Sequence, residues 1–254
     1  MKTATSTVVW SPKGGVGKTR WIANQLHRDA KNRIAFDLDS QADLTILVSP
    51  LDPNIPTITD IIQPVFRSQP RLVDSIAVDM LHPTVGLVRG NMNLALAEHD
   101  IAFHANTKIM RDNVINIFPH IIHNINTLNK LKIEFDEALI DTSPAISYLN
   151  AILVMTADNW FIPLDSSNAG HTLKLIVSVM EKFWLPFHTE NQKSTNAYYF
   201  YKNTMPTIIG GSILPVNGNP DVEKNQQVWS EFLDKMLALG FTVTGDNLTF
   251  IKLR

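Results

Sequence analysis

Two lysines bracket one short glycine-rich stretch, Lys13-Gly14-Gly15-Val16-Gly17-Lys18-Thr19. Glycines at 14, 15 and 17 let the backbone turn tightly and aim its N–H groups inward, the arrangement that cradles phosphate oxygens. A helix starting near Lys18 adds the positive end of its dipole. In that setting Lys18 contacts the β- and γ-phosphates and the Thr19 hydroxyl ligates Mg²⁺. The ordinary pattern for such loops, G-x-x-x-x-G-K-[ST], puts its first glycine where this chain has Pro12, so the strict pattern fails. Lys13 has no role in holding a nucleotide within one subunit. Its presence needs another explanation, since a plain solvated loop lysine is the alternative.

Two acidic groups belong with this loop. Asp37-Leu38-Asp39 closes an apolar run, and Asp141 closes another, Glu137-Ala138-Leu139-Ile140. A strand ending at Asp141 puts a carboxylate where it can hold the water ligands of a metal ion. Asp37 and Asp39 taken alone also read as a strand-end pair capping a helix.

The elements that must position these groups alternate between short apolar runs and helical spacing, the mark of a parallel sheet covered by helices. Strands are expected at residues 7–10, 33–38, 85–89, 137–140, 159–164 and 241–244, with an aromatic, β-prone run at 196–201. Helices are expected at 18–29, 58–62, 170–184 (burying Leu173, Ile176, Met180 and Phe183) and 222–239. A long helix is expected at 107–128, with Pro119 positioned to kink it. Prolines interrupt 46–83, and 206–220 reads as a Gly/Pro-rich loop.

At 254 residues with 44% hydrophobic and 18% charged side chains, the chain is long enough for one large α/β domain with a buried core. Its 22 basic against 24 acidic residues give a net charge of -2, which argues against a strongly nucleic-acid-coating protein. Zero cysteines exclude disulfides, thiolate zinc sites and cysteine-held iron–sulfur clusters. No run approaches the ~20 apolar residues a membrane helix needs, and residues 1–9 read as a first strand rather than a signal peptide. A cytoplasmic location is expected.

The stretch K-G-G-x-G-K-T resembles the deviant Walker A motif of the ParA/MinD family of ATPases. Asp37-Leu38-Asp39-Ser40-Gln41-Ala42-Asp43-Leu44-Thr45 is similar to the family's D-x-D-P-Q-x-N-x-T segment, with Ser40 for proline and Asp43 for asparagine. Glu137 to Pro144 resembles its Walker B segment. Val88-Arg89-Gly90-Asn91 through Leu94 and Glu98 resembles P-G-N-x-x-L, with Arg89 for proline; Leu94 and Glu98 read as packing and capping residues. The likeness spans roughly residues 5 to 185 and is closest to ParA-type partition ATPases.

The resemblance implies an α/β, single-domain P-loop NTPase over 1–254, a mostly parallel twisted sheet with helices on both faces. It implies ATP/ADP and Mg²⁺ as cofactors. The implied nucleotide contacts are Lys13, Gly14, Gly15, Val16, Gly17, Lys18, Thr19 and Arg20, and the metal site is Thr19, Asp39 and Asp141. Lys13, Lys18 and Asp39 form the implied catalytic set, with Asp39 orienting the attacking water. In the family the lysine matching Lys13 reaches across a dimer to the partner's phosphates, so dimerisation depends on the γ-phosphate.

Nitrogenase-type relatives need cluster cysteines and are excluded. MinD-type relatives end in a basic amphipathic membrane helix, which residues 244–254 do not resemble, so no membrane partner is expected. Tyr198, Tyr199 and Tyr201 read as core packing rather than a kinase tail. What remains is the ParA group, and the resemblance to it implies an ATPase that binds DNA non-specifically as an ATP dimer, drives plasmid or chromosome partition, and is stimulated by a ParB-like centromere-binding or adaptor protein, sitting on the nucleoid if it binds DNA. The last third departs from the family, since 186–254 carries no basic run and the family's usual final helix is not seen. A nucleotide-gated scaffold for a protein cargo is the alternative. Asn203 fits either an adenine contact or an ordinary turn.

Overall fold

The computed structural model describes residues 3–50, 52, 54–67, 73–105, 111–193, 205–215, 221–244 and 248–250. In chain order the elements are β1 (Thr5–Val9), α1 (Lys18–Leu26), β2 (Arg33–Leu38), α2 (Asp43–Val48), α3 (Ile58–Arg67), β3 (Asp79–His82), β4 (Val85–Val88), α4 (Leu94–Ala105), α5 (Arg111–His123) and α6 (Ile125–Leu128). There follow β5 (Glu137–Thr142), α7 (Tyr148–Thr156), β6 (Asn159–Asp165), α8 (Ala169–Val179), α9 (Leu185–Gln192), β7 (Thr207–Leu214), α10 (Val222–Ala238), β8 (Thr242–Val243) and β9 (Leu248–Phe250).

The strands form one sheet in the order β3-β4-β2-β5-β1-β6-β7-β8, with β9 also on β7. Among the described strands only the β3–β4 pair is antiparallel. Side chains alternate along each strand, so neighbouring residues feed two separate cores. Val8, Ile34, Phe36 and Ile140 pack with α4, α5, α7, α8 and α10, whereas Val9, Ala35, Leu87 and Leu139 pack with Ile22 and Leu26 of α1 and Leu44 of α2. Burial on both faces is why β2, Arg-Ile-Ala-Phe-Asp-Leu, reads as a near-continuous apolar run.

Several sequence expectations are corrected. Residues 207–214, read as loop, form β7 and pair with β6. Its glycines mislead: a Cβ on Gly211 would lie 2.7 Å from the Ile162 carbonyl oxygen and 2.9 Å from the Trp229 ring, so close packing, not a turn, requires glycine there. The expected helix at 107–128 is two helices among its described residues. The break falls at Asn124, whose amide donates back to the His120 carbonyl at 2.9 Å, and Pro119 sits inside α5.

Residues 170–184 do not stay in one α register. Met180–Trp184 is a π turn, and Phe183, expected in the core, is 61% exposed. The wider turn rotates the following side chains off the α-helical face. The run 196–201, Tyr198, Tyr199, Tyr201 and Asn203 lie outside the described residues. No helix of the described residues is long and apolar enough to cross a membrane.

Candidate functional site

Strand order alone gathers the chemistry. β1 lies between β5 and β6, with Val9 in register with Asp141 on one side and Phe161 on the other. Asp37 of β2 is in register with the same Asp141. The loop after β1, the Asp37–Asp39 end of β2, Asp141 of β5 and Asp165 of β6 therefore meet at the C-terminal edge of the parallel strands, where ligand crevices form in such sheets. The edge is tied together by the Thr142 hydroxyl donating to the Val9 carbonyl at 2.8 Å and by Trp10 Nε1 donating to the Ala145 carbonyl at 3.2 Å.

Gly15 and Gly17 take φ of 73° and 87°, a region that favours glycine. Gly17 caps α1 with no side-chain bond, and no acidic residue stands in the first turn. The first N–H groups of the helix therefore point into the crevice with the positive dipole end, an anion site by construction. Val16 is buried, Gly14 and Arg20 are exposed, and Thr19 is half-buried. Lys18 is buried, and its ammonium donates to the Lys13 carbonyl at 3.4 Å. Burial pulls the Lys18 pKa below its ordinary value, partly opposed by the charges of Asp141 and Asp39.

Asp141 is fully buried, and neither of its oxygens makes a hydrogen bond of standard geometry. Burial pushes its pKa up to about 7, with Asp37 adding to the rise and the nearby Thr19 hydroxyl and Lys18 opposing it. Two buried carboxylate oxygens outside any hydrogen bond of standard geometry, beside a threonine hydroxyl, form a hard-oxygen donor set suited to Mg²⁺. Among the described residues no cluster of three or more His, Cys, Asp or Glu offers a separate metal cage. Asp39 is buried at the loop after β2, and its carboxylate accepts the Gln41 N–H at 3.0 Å. The structure thus brings Lys13, Lys18, Thr19, Asp39 and Asp141 to one crevice.

The AAA_31 family model, an AAA domain, matches residues 5–189. The chain belongs to the ParA/MinD-type P-loop family. No curated protein matches it in sequence. Solved structures share the fold at low identity. Protein DIP2308 from Corynebacterium diphtheriae superposes with a TM-score of 0.76 at 14% identity, covering 97% of this chain and 92% of that one. A plasmid partition protein from Borrelia burgdorferi bound to AMPPNP gives 0.62 at 17%, covering 100% and 88%. Cobyrinic acid a,c-diamide synthase from Mycobacterium smegmatis with ADP and magnesium gives 0.59 at 19%, covering 91% and 82%.

Around this family loop, the sequence left three supporting features without roles. Asp37 accepts the Thr45 N–H and hydroxyl at 2.7 and 2.6 Å, and that hydroxyl accepts the Gly90 N–H at 2.9 Å. A buried carboxylate thus clamps α2 and the β4 loop behind Asp39. Burial raises the Asp37 pKa to about 6 despite those bonds. Arg89, which replaces a family proline, is buried and donates to Asp79 and to the Asp52 carbonyl, both at 2.8 Å, pinning the proline-rich segment. Asp165 pairs with Lys13 at 2.5 Å. A charged residue inside or beside an apolar strand run was the available signal for all three.

Glu98, read as a capping residue, sits within α4 and accepts the Ser147 hydroxyl at 3.1 Å. Burial raises its pKa, with the charge of Asp39 as a smaller contribution. Leu94 is fully buried and packs as expected.

Proposed function

We propose that this chain is a Mg²⁺-dependent ATPase that works as an ATP-bound homodimer, binds DNA non-specifically, and drives plasmid or chromosome partition in the cytoplasm. The observation that carries the reading is Asp141, buried beside Thr19 and Lys18 with neither oxygen in a hydrogen bond of standard geometry. The nucleotides held by the Borrelia and Mycobacterium proteins support it.

The loop N–H groups from Gly14 to Thr19, with Arg20 behind them, hold the phosphates. Lys18 adds its charge at the β- and γ-oxygens, and Thr19 and Asp141 would hold the metal. When bound, Mg²⁺ neutralises charge that develops as the γ-phosphoryl departs. Asp39, buried at the loop after β2, would lie beside the metal and orient the attacking water. Lys13 serves the nucleotide of the second subunit, adding a cation where transition-state charge spreads. Loss of the γ-phosphate removes that anchor and separates the subunits, and a ParB-like or adaptor partner accelerates the step.

Sedimentation with Mg²⁺ and ATP, alongside phosphate release, tests this reading. Lys13→Ala should remain monomeric and turn over poorly; normal pairing and turnover in that variant would sink the assignment. Asp39→Ala should accumulate ATP dimers, so rapid hydrolysis by it would remove Asp39 from its role.

The second reading is a nucleotide-gated scaffold for a protein cargo. It is favoured by the balanced charge of residues 186–254, where Lys193, Lys202, Lys224, Lys235, Lys252 and Arg254 face Glu190, Asp221, Glu223, Glu231, Asp234 and Asp246 in number. Duplex DNA binding with ATP and with ADP across a salt series decides between them. Affinity that is ATP-dependent and falls steeply with salt supports partition; none at low salt supports the scaffold.

A further inference from the structure

Lys13 is already engaged within its own subunit. Its ammonium lies 2.5 Å from Asp165 Oδ2, and the Asp165 side chain is only 5% exposed against 37% for Lys13. The carboxylate is held rigidly at the end of β6. Its Oδ1 accepts the Ser167 and Asn168 N–H groups at 3.0 and 3.2 Å and also the Ser167 hydroxyl. Oδ2 has no partner but Lys13. With its amide oxygen turned to the loop, Asn168 accepts from Lys13 as well, at 3.1 Å. Burial works against ionisation of Asp165, but the bonds from Lys13 and Ser167 outweigh it and hold its pKa below the usual value.

Resting on the reading that Lys13 serves the opposite subunit, we propose that Asp165 is an intramolecular competitor for that lysine and sets how strongly a nucleotide must attract it before two subunits pair. A lysine ammonium is one compact charge on a flexible stem. At 2.5 Å from its own carboxylate it must move to reach phosphates in another chain. The move uncovers a buried carboxylate oxygen that no other group satisfies, and breaking a buried pair from one side is costly. Pairing therefore succeeds only when the incoming phosphates outweigh Asp165. A triphosphate does so more readily than a diphosphate, so the contact sharpens discrimination between ATP and ADP. A ligand shifts such an equilibrium only by its differential affinity, and the Asp165 pair supplies the difference.

The test is sedimentation velocity on the full chain with Mg²⁺ plus either a non-hydrolysable ATP analogue or ADP. Asp165→Asn keeps an Oδ1 acceptor for Ser167 and Asn168 but drops the charge. It should tighten the analogue-bound dimer by roughly tenfold, within the usual range of coupling between sites, and allow measurable pairing with ADP. Fluorescent-nucleotide binding to dilute monomer should stay within about twofold, which a merely structural lesion would not allow. In a Lys13→Ala background the gain should vanish.

A dimer unchanged or weakened by Asp165→Asn, with monomer binding intact, overturns the proposal. So does a gain that persists without Lys13. If Asp165→Asn loses nucleotide binding, Asn168→Ala carries the test: a tighter analogue-bound dimer supports competition, and an unchanged or weaker one overturns it. Normal pairing of Lys13→Ala alone would instead refute the underlying dimer reading.

Discussion

At the scale of single residues, the crevice is a set of charges kept out of water before any ligand arrives. Burial holds Asp141 near a pKa of about 7 and Asp37 near about 6. Unfolded carboxylates of this type titrate near 3.9. Below about pH 4 both are protonated in the folded and unfolded chains alike. Between there and pH 7 the unfolded chain releases protons that the folded one retains, so stability falls as pH rises. Asp141→Asn should therefore melt higher than the parent in metal-free buffer at pH 8, because the amide is spared the cost of a buried charge. The advantage should shrink towards pH 4. A pH-independent difference in thermal denaturation would contradict the assigned cause. The same variant should lose stabilisation by Mg²⁺.

At the scale of elements, the site depends on close approaches between strand ends. A Cβ on Gly90 would sit 2.7 Å from the Asp37 carbonyl oxygen and 2.8 Å from its Cγ. Gly90→Ala should cost about 2 kcal/mol, typical of overpacking, and weaken nucleotide binding because Asp37 stands in register beside Asp141. Calorimetry and nucleotide titration check both. Arg89→Leu leaves Asp79 without its cation, and about 3 kcal/mol should be lost; an unchanged melting temperature would show that the pair contributes little.

The elements around the site differ in how plainly they were written. β2 and β5 show as apolar runs closed by carboxylates, so Asp39 and Asp141 were legible. β7 was not, because Gly210 and Gly211 look like a turn until Trp229 of α10 is packed on Gly211. α7 hides for another reason. It is buried at eight of its nine positions, from Leu149 to Thr156, and lacks the polar face that gives helices their period. Phe183 follows helical spacing in sequence, and the π turn carries it to the surface.

At the scale of the whole molecule, nucleotide binding is coupled to folding stability. A ligand that binds only the folded chain adds about 2.7 kcal/mol at a hundredfold excess over its Kd, which in a chain of this size raises Tm by roughly 5–10 °C. Mg²⁺ with ATP should produce that rise, and Lys18→Ala should abolish it. For the parent the rise should grow with protein concentration, since pairing adds to it; a concentration-independent shift would argue against a dimer.

The sequence by itself determined the loop, its two lysines, the strand-end carboxylates and the family, because each is a local pattern of residue types set by phosphate geometry and strand burial. The tertiary structure decided which of those groups face one another. That the Thr45 hydroxyl, held by Asp37, takes the Gly90 N–H, and that Lys13 rests on Asp165, follow from the order β4-β2-β5-β1-β6, which brings together loops far apart along the chain. Local pattern names the charged groups; only strand pairing assigns each charge its partner.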